Sequence, residues 1–108
     1  MSLPAEISVS ELKRMHDAGE PFFLLDVRED DEVATARIDF AKHVAMATVP
    51  GRLSELPRDE PIVVMCHAGA RSARVAKYLR DNGFGDVANL AGGIDDWSLE
   101  IDPSVPRY

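Results

Sequence analysis

Ten consecutive residues hold the densest chemistry in this chain: Val63-Val64-Met65-Cys66-His67-Ala68-Gly69-Ala70-Arg71-Ser72. A cysteine follows an apolar, β-branched run, and a helical pattern begins a few residues later. The thiolate is the reactive form of cysteine, so the first question is what would hold negative charge on this sulfur. Ala68, Gly69 and Ala70 are small enough for the chain to curl tightly, and glycine reaches backbone angles that other residues avoid. A curled loop running into a helix turns several N–H groups toward one point, and the helix N-terminus adds its positive end. A sulfur at that point has its thiolate favoured. The same cradle would hold the outer sulfur of a persulfide, Cys66–S–S⁻. A lone cysteine is ordinarily a small buried hydrophobe, but the order strand, cysteine, small loop, Arg, Ser, helix argues for a reactive one.

His67 follows the cysteine and invites a general-base or metal-ligand role. Adjacent side chains on a tight loop diverge, and an anion cradle needs no base at that point. His67 is therefore expected at the rim, where it influences substrate choice. His16, His43 and His67 show no metal-ligand spacing, so neither a metal nor another cofactor is expected.

The elements that must position the loop can be read from pattern. Ser8 and Glu11 form an S-x-x-E capping box, with Ile7 and Leu12 as its hydrophobic staple. Val9, Leu12 and Met15 follow at helical spacing, and Gly19 ends that helix. Pro21 to Val27 is an apolar run suited to a strand buried on both faces, and Glu29 to Glu32 open a short helix with favourable acidic charge. Lys42 to Met46 reads as a short strand and Pro50 to Leu56 as a loop with a helical turn. Pro61 to Met65 is the strongest strand. A helix is predicted from about Ser72 to Asn82, closed by Gly83, with Val75, Tyr78 and Leu79 facing inward. Val87 to Leu90 gives a last strand, Gly92-Gly93 a turn, and Ile94 to Trp97 a helical turn.

This alternation predicts an α/β fold, a mainly parallel sheet of about five strands with helices on both faces. In such sheets ligands bind beyond the carboxyl ends of the strands, where Cys66 falls. One domain is expected over residues 1–108, with a core at 5–97 and an extended, partly packed tail at 98–108.

The chain has 108 residues and 45% hydrophobic composition, enough for an ordinary core without staples. One cysteine permits no internal disulfide, which points to a reducing compartment and a cytoplasmic location. Met1-Ser2-Leu3-Pro4 lacks the features of a secretion signal, and no apolar run suits a membrane. Nineteen acidic against twelve basic residues give a net charge of −7. Nucleic acid is thus an unfavourable partner, and any anion site must be local.

Three segments together resemble one family. Leu24-Leu25-Asp26-Val27-Arg28-Glu29 is similar to the first motif of rhodanese domains. Cys66 to Ser72 resembles their C-x-x-G-x-R-S active loop, and Asn89-Leu90-Ala91-Gly92-Gly93-Ile94 with Trp97 resembles their closing motif. The resemblance runs from about Glu6 to Trp97. It implies a sulfurtransferase in which Cys66 takes sulfur from a donor such as thiosulfate and passes it to a nucleophilic acceptor. His67, Ala68, Gly69, Ala70, Arg71 and Ser72 would form the binding loop. Arg71 would be braced by Glu29 or Asp26, and Arg28 would either face the entrance or lie solvated on the surface.

Some cysteine phosphatases share this fold but place five residues between cysteine and arginine. Here four intervene, a tighter ring that better suits a sulfur atom. Where the family commonly has Gly-His-Ile, this chain has Ala36-Arg37-Ile38, so Arg37 must replace the histidine or its support is absent. The ending, Ile101 to Tyr108, resembles rhodanese domains fused to ubiquitin-activating-like adenylyltransferases of molybdopterin, thiamin and tRNA thiolation pathways. That likeness implies a ubiquitin-like sulfur carrier protein as acceptor, and in a sulfur relay a cysteine desulfurase would be the donor. A sulfur-relay or regulatory binding module is the alternative to a thiosulfate enzyme.

Overall fold

A computed structural model describes residues 2–108. The elements in chain order are β1 (Glu6–Ile7), α1 (Val9–Asp17), β2 (Phe23–Asp26), α2 (Asp30–Thr35) and β3 (Ala41–His43), then a run of 3-10 turns over Met46–Glu55. β4 (Ile62–Met65), α3 (Ala70–Asp81), β5 (Val87–Leu90) and α4 (Gly93–Asp96) follow, and a wide helical turn covers Trp97–Ile101. The five strands form one sheet in the order β1-β5-β4-β2-β3, and every pairing is parallel. The predicted α/β architecture is therefore the observed one.

Successive strand residues point to opposite faces, so each strand feeds two cores. Leu24, Val63, Met65, Ala88 and Leu90 join Leu12, Met15 and Trp97 on the α1 side. Leu25, Ile62, Val64 and Val87 join Val75 and Leu79 on the α3 side, and Cys66 belongs to this second cluster. Among the described residues, no helix is long and apolar enough to cross a membrane.

Ser8 caps α1 by accepting from the Glu11 N–H at 3.1 Å, but the Glu11 carboxylate turns to Arg14 and leaves the predicted box half formed. A returning carboxylate is found instead at α2, where Glu32 accepts from the Glu29 N–H at 3.1 Å.

Several local expectations are corrected. β3 ends at His43, and the chain then turns into 3-10 geometry. α3 starts at Ala70 rather than Ser72, because Gly69 takes φ +112° and admits the helix early. Tyr78 is exposed: the buried stripe of α3 is Ser72, Val75, Ala76 and Leu79, and Tyr78 sits about 100° round from Leu79.

The tail also departs from the extended reading. Val105 is buried in the α1-side core, Arg107 pairs with Asp95, and Tyr108 reaches back across the sheet ends. β1, only two residues long, carries too short a pattern to be seen in the sequence.

Candidate active site

From β2 the chain proceeds outward through α2 to β3, whereas from β4 it proceeds the other way through α3 to β5. α2 and α3 thus diverge above a crevice at the carboxyl ends of two adjacent strands, the switch point at which open α/β sheets bind ligands. Asp26 ends β2 level with Met65 of β4, so Cys66 opens the loop directly above this crevice.

The loop is shaped from below by α4. The Ile94 N–H donates to the Cys66 carbonyl and the Asp95 N–H to the His67 carbonyl, each at 3.0 Å. With those carbonyls bound, the loop's own amides turn inward. The Gly69 N–H donates to Cys66 Sγ at 3.1 Å, and Ser72 Oγ lies 3.2 Å from the same sulfur.

This packing needs Gly93. A Cβ there would stand 2.5 Å from both carbonyl oxygens, and φ is +57°.

Cys66 is only 1% exposed. Burial alone pushes its thiol up, but the Ser72 hydroxyl and the backbone N–H groups of Ser72, Gly69 and Ala68 together outweigh burial and leave the thiol below its ordinary value. A recessed sulfur with hydrogen-bond donors aimed at it is the arrangement expected of a stabilised thiolate.

Arg71 makes a two-armed ion pair with Glu32, at 2.6 and 2.9 Å. This corrects the expected partners. Glu29 precedes α2, and its N–H is engaged with Glu32; Asp26 is taken by Arg28 through bonds of 2.8 to 3.2 Å. Glu32, the third residue of α2, is the carboxylate that reaches Arg71 on α3. The Arg71 hydrogen bonds hold the Glu32 carboxyl down at about 2, with help from the Glu29 N–H and the Tyr108 hydroxyl. Glu32 in turn raises Arg71.

Arg28 is corrected too. It is wholly buried, neither at the entrance nor solvated, and also donates to the Ala36 carbonyl at 2.7 Å and to the Tyr108 hydroxyl at 2.9 Å. Five donors on a planar fork satisfy several acceptors at once, which is why an arginine can be buried here. Arg37 is exposed beside Asp39 and takes no part in the site.

His67 stacks on Tyr108 with ring centroids 4.2 Å apart and planes 16° from parallel. Its Nε2 is buried without a hydrogen-bond partner.

Three residues at the site were given no site role by sequence reasoning. Glu32 lies in a run of four acids that offers no signal to single it out. Tyr108 is remote in sequence from everything it touches. Asn89 did leave a trace, as the one amide in an otherwise apolar strand. It links Ser72, the Gly69 carbonyl and Glu6 at 2.5, 3.1 and 3.2 Å. A cavity of about 840 Å³ opens elsewhere, between α1, residues 33–40 and the tail, and no residue of the cysteine loop lines it.

Comparison with known proteins agrees with this arrangement. The sequence profile of the Rhodanese-like domain matches residues 8–100. The chain is 38% identical over 100 residues to a sulfurtransferase of Allochromatium vinosum, covering 93% of this chain and 94% of that protein. It is 31% identical over 111 residues to the adenylyltransferase and sulfurtransferase MOCS3-2 of Zea mays, covering 96% of this chain but only 23% of that protein. Among solved structures, a rhodanese-like domain protein from Staphylococcus aureus superposes with a TM-score of 0.83 at 33% identity, covering 100% of this chain and 99% of that one. The chain belongs to the rhodanese-like domain family, and sulfurtransferases are among its relatives.

Proposed function

We propose that this protein transfers sulfane sulfur by way of a persulfide on Cys66. The observation that carries the reading is the convergence of the Gly69 N–H, the neighbouring loop amides and the Ser72 hydroxyl on one recessed sulfur. With thiosulfate as donor, the Cys66 thiolate attacks the outer sulfur, the S–S bond of the donor breaks, and sulfite leaves with the electron pair. Charge is conserved: Cys66–S⁻ and S–SO₃²⁻ give Cys66–S–S⁻ and SO₃²⁻. An acceptor such as cyanide then attacks the outer sulfur of the persulfide, forms thiocyanate and restores the thiolate. Loop amides that stabilise the thiolate also stabilise the terminal sulfur of the loaded form.

Arg71 bears on the phosphatase alternative. A phosphate-binding arginine must offer its guanidinium to the ligand, whereas that of Arg71 is committed to Glu32. The site is better suited to sulfur.

The test is direct. Wild-type protein incubated with thiosulfate should gain the mass of one sulfur atom, and cyanide should release thiocyanate. Cys66→Ser should do neither; a serine variant with wild-type turnover would remove Cys66 from the mechanism.

A protein-to-protein relay is the second reading, favoured by the match of nearly the whole chain to part of MOCS3-2. A cysteine desulfurase would then load Cys66, and the adenylated C-terminus of a ubiquitin-like carrier would receive the sulfur. Loading by a desulfurase faster than by thiosulfate is the outcome that selects it. A reducing cytoplasm suits either reading, since both begin from a free thiol.

A further inference from the structure

Ser72 has one hydroxyl hydrogen and two acceptors. Its Oγ lies 3.2 Å from Cys66 Sγ and 2.5 Å from Asn89 Oδ1. The orientation of the Asn89 amide is fixed by its other end, because Nδ2 donates to the Gly69 carbonyl and to the Glu6 carboxylate. Oδ1 must therefore be the atom facing Ser72, and it can only accept. While Cys66 is a thiol, every atom is satisfied: S–H donates to Ser72 Oγ, and Ser72 O–H donates to Asn89 Oδ1. Once the sulfur is ionised it has no hydrogen to give, and the Ser72 hydrogen must leave Asn89 to reach it. Ser72 is wholly buried and Asn89 nearly so, so no solvent replaces the abandoned bond.

We propose that Asn89 competes with the Cys66 sulfur for the hydroxyl hydrogen of Ser72, and so acts as a positioning residue that favours the sulfur-loaded cysteine over the bare thiolate. In the persulfide the negative charge resides on the outer sulfur, and Sγ is a neutral bridging atom. The Ser72 hydrogen is then free to return to Asn89. Loading sulfur releases the competition, and unloading restores it. This last step rests on the reading of Cys66 as a sulfur carrier; the competition for the hydrogen does not.

The charged and titratable groups around this trio are Glu6 behind Asn89, His67 beside Cys66 with Tyr108 stacked on it, Arg71 on α3 with Glu32 of α2 beyond it, Asp26 at the end of β2 with its partner Arg28, and Asp95 of α4 below the loop. None changes between the variants that test the idea.

The experiment is a double-mutant cycle on the pH dependence of Cys66 alkylation by iodoacetamide, which requires no sulfur chemistry. Asn89→Ala in the native background should raise the thiolate population at fixed pH by about tenfold relative to its effect in the Ser72→Ala background, the scale of one charge-assisted hydrogen bond. Any loosening of the loop through the lost Gly69 contact appears in both backgrounds and cancels. Asn89→Leu, close in volume and lacking the acceptor, repeats the test should the alanine variant not fold. Equal effects in the two backgrounds, or a lower thiolate population with Ser72 present, would overturn the proposal.

A parallel equilibration with thiosulfate and sulfite, read by intact mass, should show Asn89→Ala less fully loaded than wild type. Wild-type protein that never gains sulfur would refute the carrier reading while leaving the alkylation cycle interpretable.

Discussion

The Glu32 carboxylate accepts from both guanidinium arms of Arg71, from the Tyr108 hydroxyl and from the Glu29 N–H. Those donors hold its carboxyl at about 2 against an ordinary 4.5. A carboxyl lowered by folding contributes stability that is complete above its unfolded value and is lost as pH falls through the folded one. Wild type should therefore melt above Glu32→Gln at neutral pH, and the gap should close between pH 4.5 and about 2. A gap that persists unchanged through that window would show that the ionised carboxylate is not its source. Because Glu32 also fixes Arg71 beside the loop, Glu32→Gln should cost roughly tenfold or more in kcat/KM for thiosulfate, as expected when a reacting group shifts by a fraction of an ångström. The curled cysteine loop was legible in the sequence, and the family resemblance implied a carboxylate partner for Arg71. Which carboxylate was not, because four successive acids differ only in how far α2 has turned.

At the scale of elements, the cysteine loop depends on a helix of four residues. α4 binds the carbonyls of Cys66 and His67, and Gly93 lets it approach closely enough to do so. Gly93→Ala puts a methyl group against two carbonyl oxygens at a positive φ. It should destabilise the fold by about 2 kcal/mol or more by thermal or urea denaturation. Surviving folded protein should show slowed Cys66 alkylation, since the amides no longer converge on the sulfur. Normal stability and reactivity would mean that α4 only covers the loop. The strands β2, β4 and β5 and the helices α1 and α3 announced themselves by apolar runs, period and caps. β1 did not, and only the second half of the 3-10 run showed as a helical turn, because short pieces of backbone held by their neighbours need no strong pattern of their own.

Over the whole molecule, residues far apart in sequence are tied at one corner. Tyr108 donates to Glu32, accepts from Arg28 and lies flat on His67, joining positions 76 and 80 residues away. No local pattern encodes contacts of that span, so the tail read as loose. Tyr108→Phe should retain the stack and lose about 1–2 kcal/mol, because a buried guanidinium arm and a carboxylate each lose a partner. Tyr108→Ala should lose more, and a phenylalanine variant as stable as wild type would reduce the hydroxyl to a bystander. The net charge of −7 leaves any anion site on this protein to local backbone dipoles. The depth of Cys66 sets a further rule for its traffic. A disulfide needs its two sulfur atoms about 2 Å apart, and two folded copies, each with its thiol at the bottom of a closed ring, cannot bring them that close. Copies of this protein are thereby guarded against joining into oxidised pairs. On the proposed reading of Cys66 as a sulfur carrier, a partner must arrive slender, as a small anion or on a protruding end of chain.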